Sequence, residues 1–270
     1  MSNAKSGATS AQLADVYRAD GFVSPVNVIS SEEAGQHRAA MEQAEGQIGP
    51  LHYKSKAHTI LRSPLRLATM PSVLDLVEQL IGPDILLYNA TYIVKEAHTP
   101  SHVSWHQDLT YWGLNNDRQV TMWLALSPAT LESGCMRMAP RSHIGGRRDH
   151  ETTQDSDNVL YQGQTVQGVS EEDAVTCPLQ PGQASFHHGW TLHASMPNRS
   201  ADRRIGLNVQ YLSTSTLQTK HTKDSAMLVR GIDHNGHFAS DMPAETDLDS
   251  TALQRQAELE ALHRETAGSA

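Results

Sequence analysis

The spacing of apolar residues changes from helical to strand-like near Gly82. Before it, Leu13, Val16 and Tyr17 stand at i, i+3 and i+4 and Gly21 closes the run, which predicts a helix. Phe22-Val23 opens a short extended piece. Ser30 and Glu33 have capping-box spacing, which predicts a second helix to about Glu45. The clearest helix has Pro71 in its first turn, an apolar face of Val73, Leu74, Val77, Leu80 and Ile81, and Gly82-Pro83 as its stop. Beyond Gly82, residues 85–94, 120–126 and 183–187 are rich in apolar and β-branched residues. Ile205, Leu207, Val209 and Tyr211 then alternate at period two. These are predicted strands, separated by Gly, Pro, Asn and Asp clusters. Residues 145–172 are polar and weakly patterned, and are expected to form a long lid-like insertion. Ser250 is the expected N-cap of a terminal helix to about Glu265. Residues 1–10 are small and polar, and disorder is expected there. Helices first and short strands after predict an α+β fold around a β-sandwich or jelly-roll core. No internal repeat or linker breaks residues 11–270, so one domain is expected.

Composition narrows the partners. The formal charge of −9 argues against nucleic acid or an anionic membrane surface as the main partner. No apolar run approaches the roughly 20 residues of a membrane helix, and no signal-peptide pattern is present, so a cytoplasmic protein acting on a small molecule is expected. Cys135 and Cys177 lack metal-binding spacing and read as small buried residues in a reducing compartment. Nothing in the sequence indicates an oligomeric state.

The chemistry concentrates in His106-Gln107-Asp108. On a strand, side chains two apart share a face, so H-x-D offers an imidazole and a carboxylate to one point. A downstream histidine, His193, would complete two nitrogens and one oxygen on one side of a metal. Open positions would remain opposite, as non-haem Fe(II) oxygenases require. The same three ligands also suit catalytic zinc.

The stretch 104–113, S-W-H-Q-D-L-T-Y-W-G, resembles the phytanoyl-CoA dioxygenase family of Fe(II)/2-oxoglutarate-dependent oxygenases. Gly82-Pro83-Asp84, Trp123-Leu124-Ala125-Leu126, Glu132-Ser133-Gly134-Cys135-Met136, Pro140-Arg141-Ser142-His143 and the run from His193 to Arg204 agree with it. The resemblance covers about residues 10–215. It departs at Arg141, where the family usually has glycine in a P-G-S-H turn.

The resemblance implies a double-stranded β-helix, jelly-roll or cupin-like, with flanking N-terminal helices and a C-terminal helix. It implies His106, Asp108 and His193 as iron ligands, Arg204 as the partner of the distal carboxylate of 2-oxoglutarate, and Ser195 and Trp123 beside that cosubstrate. Fe(II), 2-oxoglutarate and O2 are the implied cofactors. Because Asp108 is present where related halogenases have a small residue, hydroxylation is expected rather than halogenation.

Substrate candidates are Lys56 and His58 from the basic stretch Lys54, Lys56, His58, Arg62 and Arg66, His102 in the loop before the motif, and Tyr111 and Trp112 after it. His187 and His188 read as structural, and Arg203 as a surface charge. The expected substrate is a small carboxylate, amino acid or phosphonate. An acyl-CoA or natural-product scaffold, and a non-catalytic β-barrel that binds a small acid, are the alternatives.

Overall fold

The helical spacing before Gly82 becomes four helices. α1 (Ser10–Asp20) starts from a capping box formed by Thr9 and Gln12, and ends at Gly21 in the left-handed conformation at φ 85°. The computed structural model describes residues 9–160, 163–220 and 223–268. The disorder expected over residues 1–10 therefore does not hold for Thr9 and Ser10, which begin a capped helix, and residues 1–8 lie outside the described residues. α2 (Ser31–Ile48) has the expected Ser30–Glu33 box and runs a turn past Glu45. α3 (Arg62–Ala68) occupies the basic stretch, and α4 (Pro71–Ile81) has Pro71 at its first position.

The strands follow in order: β1 (Phe22–Asn27), β2 (Ile85–Lys95), β3 (Val103–His106), β4 (Gln119–Ala125), β5 (Met136–Met138), β6 (Val175–Cys177), β7 (Gln183–His187), β8 (His193–Ser195), β9 (Arg204–Ser213), β10 (Ser225–Arg230) and β11 (Ala239–Ser240). A short helix, α5 (Leu109–Trp112), follows β3, and α6 (Ser250–Gly268) ends the described chain. Ser250 is not the cap of α6. The Asp249 carboxylate accepts from the Ala252 amide at 3.0 Å, so Asp249 is the cap and Ser250 the first helical residue.

Seven strands pair in the order β1-β7-β4-β9-β2-β10-β11, and four in the order β3-β8-β5-β6. This is the expected α+β jelly roll. Period two on the large sheet divides it into two surfaces. Ile205, Leu207, Val209 and Tyr211 of β9, Val120, Met122 and Leu124 of β4, and Ala184 and Phe186 of β7 join one core with the N-terminal helices. Each fully buried Val, Leu, Ile, Met or Phe among them contributes about 1.5–3 kcal/mol. The intervening residues, Arg204, Asn208, Thr121, Trp123, Ser185 and His187, take the opposite face, toward the small sheet.

The described residues of 145–172 form no long element of their own, yet they are pinned. Val166 packs with Trp105, Leu192 and Ala194, and the Gln107 side chain bonds Gly146 O and the Arg148 amide. Both cysteines are free and buried. Among the described residues, no helix is long and apolar enough to cross a membrane.

Candidate metal centre

Backbone pairing brings the two histidines together. β3 and β8 run antiparallel with His106 opposite His193, and opposed residues project to one face. Their ring centroids are 4.0 Å apart. Asp108 arrives by another route. β3 ends at His106, and Asp108 lies at the start of α5 with helical dihedrals (φ −56°, ψ −45°). The expectation that H-x-D lies on one strand is therefore corrected: the strand turns into a helix, and that turn aims the carboxylate. Asp108 Oδ1 lies 3.5 Å from His106 Nε2 and 3.7 Å from His193 Nε2. The three candidate ligand atoms lie within 4.8 Å of one another.

The outward ring nitrogens fix the tautomers. His106 Nδ1 is 2.9 Å from Ser104 O, and His193 Nδ1 is 2.9 Å from Thr191 O. A carbonyl only accepts, so each Nδ1 carries the hydrogen and each Nε2 turns a lone pair to the cluster. Asp108 Oδ2 accepts from the Thr121 hydroxyl at 3.1 Å and faces His187 Nε2 at 3.4 Å, which leaves Oδ1 toward the histidines. Burial, and then His106, hold His193 well below the ordinary imidazole range. Burial pushes the Asp108 carboxyl up, but the imidazoles around it, His193 foremost, outweigh this and hold it well below its usual value. Two imidazole nitrogens and one carboxylate, each oriented by a second bond, fit a divalent metal bound from one side.

These residues open onto a cavity of about 540 Å³ between the sheets, which Arg204, Trp123 and Ser195 also line. Arg204 is 1% exposed. One terminal nitrogen donates to Gly134 O at 2.6 Å, and the guanidinium lies 5.0 Å from the centre of the Trp123 ring. Its Nε is buried with no partner, and no carboxylate among the described residues pairs with it. Burial lowers its pKa to about 10. A buried fork of donors without an anion, facing a cavity, fits a small carboxylate. Neighbouring Arg203 turns away and pairs with Glu45 and Glu96, in keeping with a surface charge.

The substrate candidates divide. Tyr111 and Trp112 line the cavity, and the Tyr111 hydroxyl is buried without a partner. Lys56 and His58 do not reach it. Lys56 Nζ is buried against Tyr88 O, Ser225 O and the Asp241 carboxylate at 2.9 Å, and His58 Nε2 lies 3.4 Å from the same carboxylate. The left-handed backbone at Lys56 (φ 59°) aims this lysine at the core rather than along a solvated face. His102 lies 3.4 Å from Asp155 and pairs with the 145–172 segment, away from the cavity lining. From the basic stretch only Lys54 lines the cavity. His187, expected to be structural, lines it too, against Asp108. His188 stays structural, accepting from the Trp190 amide.

Sequence reasoning missed Asn208, Gln210, Glu260 and Arg264, which share the cavity. The first two were within reach: they are the polar half of the alternation that predicts β9. The other two come from α6, and no local pattern points a terminal helix at a distant site. Arg141 takes a left-handed backbone (φ 65°), the conformation that a glycine in that turn would supply.

The family model for phytanoyl-CoA dioxygenase matches residues 17–206. The chain is 31% identical over 144 residues to 1-deoxypentalenic acid 11-beta-hydroxylase of Streptomyces arenae, which covers 49% of this chain and 50% of that protein. It is 29% identical over 143 residues to a probable alpha-ketoglutarate-dependent hypophosphite dioxygenase of Stutzerimonas stutzeri, covering 52% and 49%. The chain thus spans about half the length of these curated relatives. A solved non-heme monooxygenase, ThoJ in its apo form, is 31% identical, with a TM-score of 0.84 over 95% of this chain and 98% of that one. With the match to the family model extending from α1 into β9 and taking in every candidate ligand, the chain belongs to the phytanoyl-CoA dioxygenase family.

Proposed function

We propose that this protein is an Fe(II)- and 2-oxoglutarate-dependent dioxygenase that hydroxylates an unactivated C–H bond of a small anionic or zwitterionic molecule. The observation that carries this reading is Arg204, a buried guanidinium without an anion, in the same cavity as His106, Asp108 and His193. A zinc hydrolase would use the triad but leave Arg204 idle. A silent acid-binding barrel would use Arg204 but not the triad.

Iron, 2-oxoglutarate and O2, when bound, supply the oxidising chemistry. The chain's own residues hold and aim the reactants. His106, Asp108 and His193 hold the metal from one side. Arg204, with Ser195 and the Trp123 ring beside it, takes the distal carboxylate of the cosubstrate. Val159 and Leu160 of the 145–172 segment lie over the cavity, and we read this segment as a cover that keeps water from the reacting centre. Tyr111 and Trp112 wall the substrate space.

Lys54 and Arg264 line the same cavity with Glu260 paired between them, and the one positive charge left over in this trio suits an anion. The relatives named above for 1-deoxypentalenic acid and hypophosphite agree with a small acid. Two free buried thiols suit the cytoplasm.

The test is anaerobic. Adding Fe(II) and then 2-oxoglutarate to metal-free protein should give a visible charge-transfer band that weakens in Arg204→Ala. No band in folded, iron-loaded protein removes the reading, and hydrolytic activity with zinc would replace it.

A further inference from the structure

Lys95 is the last residue of β2, 3% exposed, and its Cα partner across β9 is Arg204. Two basic side chains therefore stand side by side in the interior. Lys95 Nζ reaches across to the small sheet. It donates to Ser195 O at 3.1 Å, to Ser195 Oγ at 2.8 Å and to Met196 O. Three acceptors take the three hydrogens of an ammonium. Burial first, and then Arg204, lower the lysine to about pKa 6, so the ammonium form is disfavoured while no anion is nearby, and a carboxylate bound beside Arg204 would favour it.

One of these bonds matters beyond the staple it makes between sheets. Ser195 Oγ accepts from Lys95, and among the described residues its own hydrogen has no acceptor. Ser195 is buried and lines the cavity with Arg204. With one lone pair committed to the lysine, the hydroxyl hydrogen is left to point into the cavity.

We propose that Lys95 is a positioning residue for the cosubstrate: by donating to Ser195 Oγ it presents the serine hydrogen to the carboxylate that Arg204 holds. This rests on the reading of the cavity as a 2-oxoglutarate site. It explains why a lysine is buried next to an arginine, since a bound carboxylate would offset the guanidinium and favour the ammonium that donates to Ser195. It also gives Ser195 a defined role, as a donor in a fixed direction.

The experiment is an anaerobic titration of the Fe(II)-loaded protein with 2-oxoglutarate, followed by the charge-transfer band. It compares wild type, Lys95→Met, Ser195→Ala and the double variant, with thermal midpoints recorded alongside. Methionine keeps the length and apolar stem and removes the donors. Each single variant is expected to raise Kd about tenfold, the scale of one hydrogen bond to a charged group. The double variant should be no weaker than the weaker single, because both substitutions remove the same contact. Single effects that multiply in the double variant, or a Lys95→Met variant that binds like wild type, overturn the proposal while the cosubstrate reading stands. If wild type itself binds no 2-oxoglutarate, both fall. A merely structural lysine would lower the thermal midpoint without this coupling. Should Lys95→Met not fold, Lys95→Gln is read by the same criteria.

Discussion

Gly206 has no side chain where Trp123 has its ring: a Cβ at Gly206 would lie 2.0 Å from Trp123 Cζ2. The two residues are neighbours on the cavity face of β9 and β4, and Trp123 in turn lies against Arg204. A methyl group at position 206 must push the indole toward the guanidinium or out of the sheet. Gly206→Ala should destabilise the protein by about 1–3 kcal/mol, the usual cost of overpacking. It should also weaken 2-oxoglutarate binding more than iron binding, because the displaced ring stands beside Arg204 and not beside the triad. Parallel titrations with Fe(II) and with 2-oxoglutarate check this, and an equal loss of both would show the effect to be general.

Arg204 itself sets function against stability. A buried charge with an unpartnered Nε destabilises the ligand-free fold. Arg204→Met should therefore raise the thermal midpoint of the ligand-free protein and abolish its stabilisation by 2-oxoglutarate. Thermal melts with and without the cosubstrate separate the two effects. A variant that melts lower than wild type would mean that the bond to Gly134 O outweighs the burial of the charge.

The pH dependence of stability has a defined direction at His188. Burial lowers its pKa to about 4, against the opposing pull of Asp117, while an unfolded histidine titrates near 6.5. Between these values the unfolded chain binds the proton and the folded chain does not, so stability falls as pH drops from about 6.5 to 4. His188 alone accounts for up to about 3 kcal/mol of that fall. Denaturant unfolding from pH 7 to 4 should show a shallower decline in His188→Gln. An unchanged slope would move the effect to the other buried histidines.

Arg141 holds a left-handed backbone that costs a non-glycine residue about 1–2 kcal/mol. Part of that is offset by the greater freedom that glycine would have in the unfolded chain. Arg141→Gly should stabilise the protein by about 0.5–1 kcal/mol, read as a higher denaturant midpoint at constant slope. A loss would show that the arginine side chain contributes more than its backbone costs.

How far the fold was legible in the sequence depended on element length. α4 and β9 are long enough for their spacing to repeat, and both emerged from periodicity alone. β5, β6 and β8 are three residues each, too short for alternation to be distinguished from chance. The candidate ligands were found because the stretch around His106 and the run from His193 resemble a known family, although the carboxylate reaches its place through a strand-to-helix turn and not along a strand. Lys56 misled because a basic stretch in an acidic protein reads as a site for an anionic substrate. Nothing local reports that Asp241, far along the chain, is waiting for it in the interior.

Gln210, Glu260 and Arg264 lie beyond residue 206, where the family match ends, yet they complete the cavity's wall. The candidate metal and cosubstrate residues all lie before that point. Part of the cavity wall therefore lies outside the stretch that matches the family, while Tyr111 and Trp112 lie inside it. The terminal helix is then a place where the rim of the cavity can change while the candidate metal and cosubstrate residues stay as they are. Diversification of this kind can proceed by substitutions in a terminal helix, far in sequence from any residue whose loss would silence the centre.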